Sequence, residues 1–311
     1  LSSHILKFTC IKLGRAIISI TLMVTCVFVL LRSVGDPVSI FLGPDATPEM
    51  RAAFARQLGL DRPLLAQYLA YVESILSGSF GLSYIYRRDA LSVVVDNLAP
   101  TLMLMGASLG IAVVLGVLAG ATAAIYRRGA IDRLITLLSS GGLCIPAFFL
   151  GLLLMLIFSI ELRWLPTSGA ESWKNLILPA VTVAASNAAV LARYTRVALA
   201  EALDSPFIMA AQARDIPFWR ILLHHAAPNA AIPILTVLGM MVGGLVTGSI
   251  VVEQVFSWPG IGNLLITSIG NRDIPVVQAI VILAGAAMIL TNLLVDVLYV
   301  VVDPRTRRSE H

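Results

Sequence analysis

The sequence predicts an all-α membrane protein of about six transmembrane helices. Three observations carry that expectation. Of the 311 residues, 58% are hydrophobic and only 13% are charged, against about 25% charged in an average soluble domain. This sparse charge leaves six long runs without an ionised side chain, and ~17–25 such residues cross a ~30 Å hydrocarbon core at 1.5 Å per residue. The basic residues gather at alternate ends of those runs, as they do in loops on the cytoplasmic side.

The first run, residues 16–31, is short, and Arg15 and Arg32 at its two ends are placed to snorkel to the interfaces. Lys7, Lys12 and Arg15 lie before or at its start and no small-residue cleavage pattern follows it, so a retained helix is expected there, not a removed signal. The other runs are residues 98–125, 134–160, 175–192, 230–252 and 274–295. Pro146 falls inside the third and Pro179 near the start of the fourth, where kinks or short breaks are tolerated if neighbouring helices satisfy the backbone. Gly116-Val-Leu-Ala-Gly120 has the small-xxx-small spacing that suits close helix packing. Cys10, Cys26 and Cys144 lie in or beside apolar segments and are expected to act as small buried hydrophobes, not as a disulfide framework.

Orientation follows from the short loops. With the N-terminus inside, the inner segments hold Lys7, Lys12, Arg15, Arg127, Arg128, Arg133, Arg193, Arg196, Arg214, Arg220, Arg305, Arg307 and Arg308, while the short outer loops hold only Arg163, Lys174 and Arg272. Both termini are therefore expected in the cytoplasm. The chain divides into an N-terminal tail with the first helix (1–31), an extracytoplasmic loop domain (32–97), a five-helix core (98–302) and a cytoplasmic tail (303–311). The loop domain contains a plausible amphipathic stretch over 48–58 with Thr47 as its N-cap. The core contains a long inner segment, 193–229, expected to form two short helices with a break at Pro217.

Several chemistries are excluded. His4, His224, His225 and His311 are the four histidines, and none lies inside a predicted span, so neither a His-Glu-x-x-His metalloprotease nor a membrane-embedded serine protease has its base. Lys7, Lys12 and Lys174 are the only lysines, and none has the Gly-Lys-Ser/Thr context of a P-loop. The six spans contain no Asp, Glu or Lys to bind a driving ion, Asp296 lying just past the last. The net charge of +4 sits at helix ends and implies no nucleic-acid partner. Energy is expected to enter from another chain.

The inner stretch 198–233 is where the sequence meets a family. Phe207, Ala210, Ala211, Ala213, Arg214, Asp215 and Ile216, followed by His225, Ala226, Asn229, Ala230 and Pro233, resemble the coupling segment of binding-protein-dependent ABC importer permeases, most closely the dipeptide/oligopeptide/nickel group. Gly, usual in that group, is Asp215 here; Asp tolerates the left-handed conformation better than most residues, so the turn is expected to survive. The resemblance covers nearly the whole chain. It includes Arg32-Ser-Val-Gly35-Asp36-Pro37, Leu58-Gly59-Leu60-Asp61-Arg62-Pro63, Gln67-Tyr68 and Ser79-Phe80-Gly81-Leu82-Ser83. Further along it includes Trp164-Leu165-Pro166-Thr167-Ser168-Gly169 and Leu178-Pro179-Ala180. Towards the end come Glu253-Gln-Val-Phe256-Ser-Trp258-Pro259-Gly260-Ile-Gly262, Asn271-Arg272-Asp273, Asn292-Leu-Leu-Val-Asp296 and Asp303-Pro304-Arg305.

The resemblance implies a six-transmembrane type I ABC importer permease of the bacterial inner membrane that catalyses no covalent chemistry. It implies a second homologous permease, two cytoplasmic ATPase subunits that hold the ATP and Mg, and an extracytoplasmic substrate-binding protein; this chain itself binds lipid but no cofactor or metal. The segment Phe207–Ile216 couples to the ATPases. Glu253, Trp258, Pro259, Asn271, Arg272 and Asp273 are candidate contacts with solute or binding protein at the pore mouth. For Trp258-Pro259-Gly260 an interfacial anchor and turn is the alternative, and Glu253 and Asp273 either meet a cationic solute or pair with Arg272. The solute is a di/oligopeptide or, alternatively, nickel or a metal chelate. A stand-alone channel or carrier, an exporter subunit and a non-transporting scaffold are the rival classes.

Overall fold

The computed structural model describes residues 2–34, 47–57 and 61–302. Gly35-Asp36-Pro37, Leu58-Gly59-Leu60, Asp303-Pro304-Arg305 and the rest of the tail lie outside the described residues, as do the side chains of Cys10 and Arg32. Among the described residues every regular element is helical, apart from one isolated bridge between Leu82 and Asp89.

Helix α1 (Ser2–Val34) is longer than its apolar stretch Lys12–Leu30. The expected short span is therefore only the middle of a longer helix, since Lys and Arg at its flanks propagate helix readily. Helix α2 (Pro48–Gln57) begins at the expected cap, where the Met50 N–H donates to Thr47 Oγ1 at 3.3 Å. Helix α3 (Leu64–Leu76) follows Pro63. Helix α4 (Ala90–Ile125) has 36 residues, about 54 Å at 1.5 Å per residue, and so outruns the bilayer core.

Pro146 does more than kink the third span. It lacks an N–H and biases Ile145 to an extended conformation (φ −84°, ψ 119°). Helix α5 (Ala130–Cys144) stops there, and helix α6 (Ala147–Met155), widened into a π turn over Leu156–Glu161, departs at 101° to it. Among the described residues five helices are long and apolar enough to cross a membrane, six if this bent pair is one broken span.

Helix α7 (Lys174–Leu203) runs through the fourth span and on into the inner segment, so the inner connection begins after Leu203 and not at residue 193. Helix α8 (Pro206–Gln212) and helix α9 (Phe218–Ile221) follow. α9 is not a separate short helix: a π turn over Leu222–Ala226 joins it without a break to helix α10 (Ala227–Val255). Helix α11 (Ile261–Gly270) and helix α12 (Ile274–Val302) complete the chain.

The described residues form two compact units. The larger comprises residues 97–264 with 2–5 and 290–302; the smaller comprises residues 6–34, 47–57, 61–96 and 265–289. In the larger unit α4, α7 and α10 share a core of Ala112, Ala184, Leu191, Val237 and Met241. The small-residue spacing on α4 is used as packing: a Cβ at Gly120 would sit 2.4 Å from the Ala192 carbonyl oxygen, and one at Gly116 2.9 Å from that of Ala188. In the smaller unit α1 approaches α12 closely, the Met23 side chain lying over Gly285. Cys26 and Cys144 are free thiols on the outside of the chain, not buried; a thiol is apolar enough to face lipid as readily as a core.

Gly120→Ala forces α4 from α7 and is expected to destabilise the protein by about 1–3 kcal/mol. Gly110→Ala, where a Cβ meets nothing within 4 Å, is expected to be neutral or stabilising. Thermal unfolding of both variants in lipid nanodiscs checks this, and equal midpoints would contradict the packing.

Candidate functional site

The segment expected to couple to a partner is centred on a seven-residue helix on an apolar footing. Ile208 and Ala211 of α8 point inward into a cluster with Ala124, Ala198, Leu199, Ala202, Ile221, Leu222, Ala226 and Ala230. The other face of α8 and the turn after it, carrying Phe207, Met209, Ala210, Ala213, Arg214 and Asp215, is exposed. Phe218 and Trp219 of α9 add a second exposed aromatic pair, with ring centroids 6.1 Å apart. Of the seven sequence-predicted coupling residues, Ala211 is thus buried and Ile216 half-buried as footing, while Phe207, Ala210, Ala213, Arg214 and Asp215 are presented outward.

The turn after α8 is a Schellman motif. Ile216 N–H donates to the Ala211 carbonyl at 3.3 Å and Asp215 N–H to that of Gln212 at 3.0 Å. Asp215 takes the left-handed conformation (φ 54°) that such a motif requires at this position, so the turn survives without glycine. Ile216 then packs on the same cluster as Ala211, supplying the hydrophobic contact that accompanies the motif. Asn229 Nδ2 donates to the His225 carbonyl at 2.7 Å, closing the π turn that leads into α10.

Two ion pairs absent from the sequence reading tie α7 to the turn between α4 and α5. Asp132 is buried in the first turn of α5. It receives Arg196 Nε at 2.5 Å and Nη2 at 2.8 Å, with the Arg128 N–H at 2.9 Å on the second oxygen. The arrangement is bidentate and charge-assisted, the strong form of this contact. Eight residues further along, Arg127 pairs with Asp204 at the surface and holds that carboxyl below the usual carboxylate range. An acid early in a helix is a sequence signal for a first turn, but no local pattern names its partner 64 residues away.

At the other end of α10, the Glu253 carboxylate caps α11. Its Oε2 accepts the N–H groups of Gly262 at 2.7 Å and Asn263 at 3.2 Å, and its Oε1 accepts from Thr101 Oγ1 at 2.9 Å. Thr101 Oγ1 itself accepts the Ile261 N–H at 2.8 Å. Three of the four orphan donors of α11 are thereby satisfied, and a carboxylate stands where the helix dipole favours one. The two glycines follow from this: a Cβ at Gly260 would lie 2.4 Å from Glu253 Oε2, and one at Gly262 2.5 Å from the Ile250 Cα. Trp258 is 3% exposed and donates Nε1–H to the Pro100 carbonyl at 3.0 Å, so it is a core residue and not an interfacial anchor. Trp164 and Trp173, 65% and 69% exposed, are the residues placed to serve as anchors. Phe256 accepts the Gly169 N–H through its carbonyl at 3.1 Å, joining the loop after α6 to the same assembly.

In the smaller unit Asp273 does similar work. Its carboxylate accepts Ser83 Oγ–H at 2.5 Å, the Tyr84 N–H at 3.0 Å and the Ile85 N–H at 3.4 Å, fixing the hairpin that follows Gly81. Burial and then the Asp273 charge push the Tyr84 phenol up to about 12. The expected pairing of the two acids with Arg272 is not formed. Glu253 and Asp273 are fully buried with their oxygens occupied by neutral donors, and Arg272, exposed in a left-handed turn (φ 56°), is not the partner of Asp273. Pro259, Asn271 and Arg272 are the exposed members of the pore-mouth set.

Comparison with known proteins places this architecture. Residues 112–308 match the family profile described as binding-protein-dependent transport system inner membrane component, and residues 5–105 match its N-terminal counterpart. The chain is 42% identical over 273 residues to the glutathione transport system permease protein GsiC of Escherichia coli (strain K12), covering 88% of this chain and 89% of that one. It is 43% identical over 273 residues, with the same coverage of 88% and 89%, to GsiC of Salmonella paratyphi A. Among solved structures it resembles the inward-facing MetNI methionine ABC transporter, with a TM-score of 0.59 at 18% identity, covering 68% of this chain and 97% of that one.

Two sets of variants check the geometry by thermal unfolding. Glu253→Ala leaves buried donors unpaired and is expected to cost about 2–4 kcal/mol, while Glu253→Gln, which keeps one acceptor oxygen, costs less than half as much. Asp215→Gly relieves the left-handed position and is expected to add roughly 1 kcal/mol, whereas Asp215→Val lowers stability by at least that amount. Wild-type stability in Glu253→Ala, or no difference between the two Asp215 variants, would contradict the respective assignments.

Proposed function

The chain belongs to the family of binding-protein-dependent transport system inner membrane components, the permease subunits of ABC importers, and from that premise we propose that it forms half of a pathway for short peptides of the glutathione class. The observation that carries the mechanism is the outward face of α8 on its buried footing. A short helix with Ala210 and Ala213 exposed and Phe207 beside them suits a groove on an ATPase subunit, because small residues permit close backbone approach. Two ATPases hold the ATP and Mg, a second permease completes the pathway, and a binding protein delivers solute from outside. Both termini lie in the cytoplasm, where the basic loops place them.

The proposed drive passes along one element. Residues 218–255 form a continuous helical rod, about 55 Å long at 1.5 Å per residue. Its inner end shares the footing of α8, and its outer end carries Glu253 and the capped start of α11. Movement of α8 by the ATPases is therefore delivered to the mouth of the pathway. Asp132 and Arg196, with Arg127 and Asp204, make the α4–α5 turn travel with the end of α7, so α5 moves with α8 too. The result is a two-state bundle biased by nucleotide. Pro259 in the larger unit, and Asn271 and Arg272 in the smaller, are each exposed and are the proposed contacts for the binding protein or solute.

The peptide class draws support from the relatives named for glutathione transport. Chelated nickel is the competing solute. Reconstituted with its partner permease, ATPases and binding protein in proteoliposomes, the chain is expected to support ATP-dependent uptake of glutathione or dipeptides. Ala213→Trp, which blocks the α8 face without touching its footing, is expected to cut uptake at least 10-fold and release the ATPases on purification. Uptake of a nickel chelate instead of peptide would move the substrate class, and uptake by the isolated chain without ATPases would overturn the reading.

A further inference from the structure

Helix α3 has two unlike sides. Leu64, Leu65, Leu69 and Leu76 are 62%, 70%, 59% and 82% exposed, and none of its residues is fully buried. The other side rests on α1. Tyr68 lies with its phenol 2.8 Å from Thr25 Oγ1, and since Thr25 already donates to the Thr21 carbonyl at 2.7 Å, the phenol is the donor. The Phe28 ring packs on both Tyr68 and Tyr71, with centroids 5.3 Å apart in each pair.

These contacts fix the depth of α3. Thr25 and Phe28 belong to the stretch Lys12–Leu30 that is long and apolar enough to cross a membrane. They stand seven and four residues before Arg32, the first charged residue after the run, about 10 Å and 6 Å along the helix at 1.5 Å per residue. An interfacial helix buries its apolar face about 5–10 Å into the headgroup and acyl boundary. The anchored side of α3 lies at that depth, where tyrosine is favoured. Its leucines also continue the outward apolar surface of α1, formed by Ile17, Ile18, Leu22, Val29 and Leu30. Asp61 and Arg62 sit before the helix, and Glu73, exposed between Leu69 and Leu76, is long enough to reach the headgroups.

We propose that α3 is a monotopic membrane helix, lying in the leaflet at the C-terminal end of α1 with its leucine face in lipid. The segment following the first span is then not wholly a soluble domain: one of its helices is a lipid contact that sets the position of the hairpin 79–89 behind it. The proposal rests on α1 being a span and is independent of what the chain transports.

Spin labels on single cysteines test it. Positions 65, 69, 73 and 76 are labelled one at a time in the assembled transporter in nanodiscs, with Cys10, Cys26 and Cys144 replaced by Ser. Collision rates with oxygen, which partitions into lipid, are compared with those of chromium oxalate, which stays in water. Oxygen is expected to dominate at least 5-fold at 65, 69 and 76, with position 73 closer to the phosphate level. Chromium oxalate access at the three leucine sites would place the helix in water and overturn the proposal. Shielding from both reagents would overturn it too, by showing a protein partner on that face.

Discussion

A helix that begins inside a membrane protein must find partners for its first N–H groups, because no water is there to supply them. Glu253 and Thr101 meet that demand for α11, and much of the outer half of the larger unit is arranged around them. The carboxylate leaves no room for side chains at Gly260 and Gly262. The left-handed Ser257 (φ 48°) turns the chain so that Trp258 N–H donates to the Glu253 carbonyl at 2.8 Å. Phe256 is thereby set into the core with Leu178, Val183, Leu245 and Val252. A run of residues that looks like a recognition motif is first of all the solution to a backbone problem. Asp273 solves a similar one for the loop at 83–85.

The inner end follows the opposite logic. There the outward apolar surface of α8 and α9 is left open, while the footing beneath it is closed by alanines and by two ion pairs. The Asp132–Arg196 pair is mostly withdrawn from solvent and bidentate, so removing one partner would strand the other; such pairs specify an arrangement more than they stabilise it. Arg127–Asp204 is fully exposed and adds registration along the same helix. The surface proposed to meet the ATPases is thus an open apolar face on a closed, ion-paired base.

Local features were the legible ones. The spans, the Thr47 cap, the Gly116–Gly120 contact and the left-handed turn at Asp215 each depend on residues within a few positions of one another or on a single helix face. The role of Glu253 was not legible, because its hydroxyl donor is 152 residues away and its charge suggested a cation. Trp258 was open to two readings, a contact at the pore mouth or an interfacial anchor, and its place in the core was not among them; only packing separates it from Trp164. Pro146 announced a kink, but the size of the redirection depends on what the two halves pack against. Five helices are followed within three residues by a non-glycine residue, Arg128, Arg163, Asp215, Ser257 or Arg272, in the left-handed conformation, where a search for glycine would have passed over them.

The rod of residues 218–255 also sets the mechanical advantage of the system. Over a length of about 55 Å, a tilt of roughly 5° about the inner end carries the outer end about 5 Å, close to one helical pitch. If the proposed drive operates, small strokes at the α8 end of the rod suffice to shift its Glu253 end by the width of a side chain. In the proposed assembly the same leverage would work in reverse: a partner pressing on the Glu253 end would produce only a slight angular change at the α8 end, with correspondingly greater force. The proposed drive would make the protein a long-armed lever, with its amplification written into the length of a single helix.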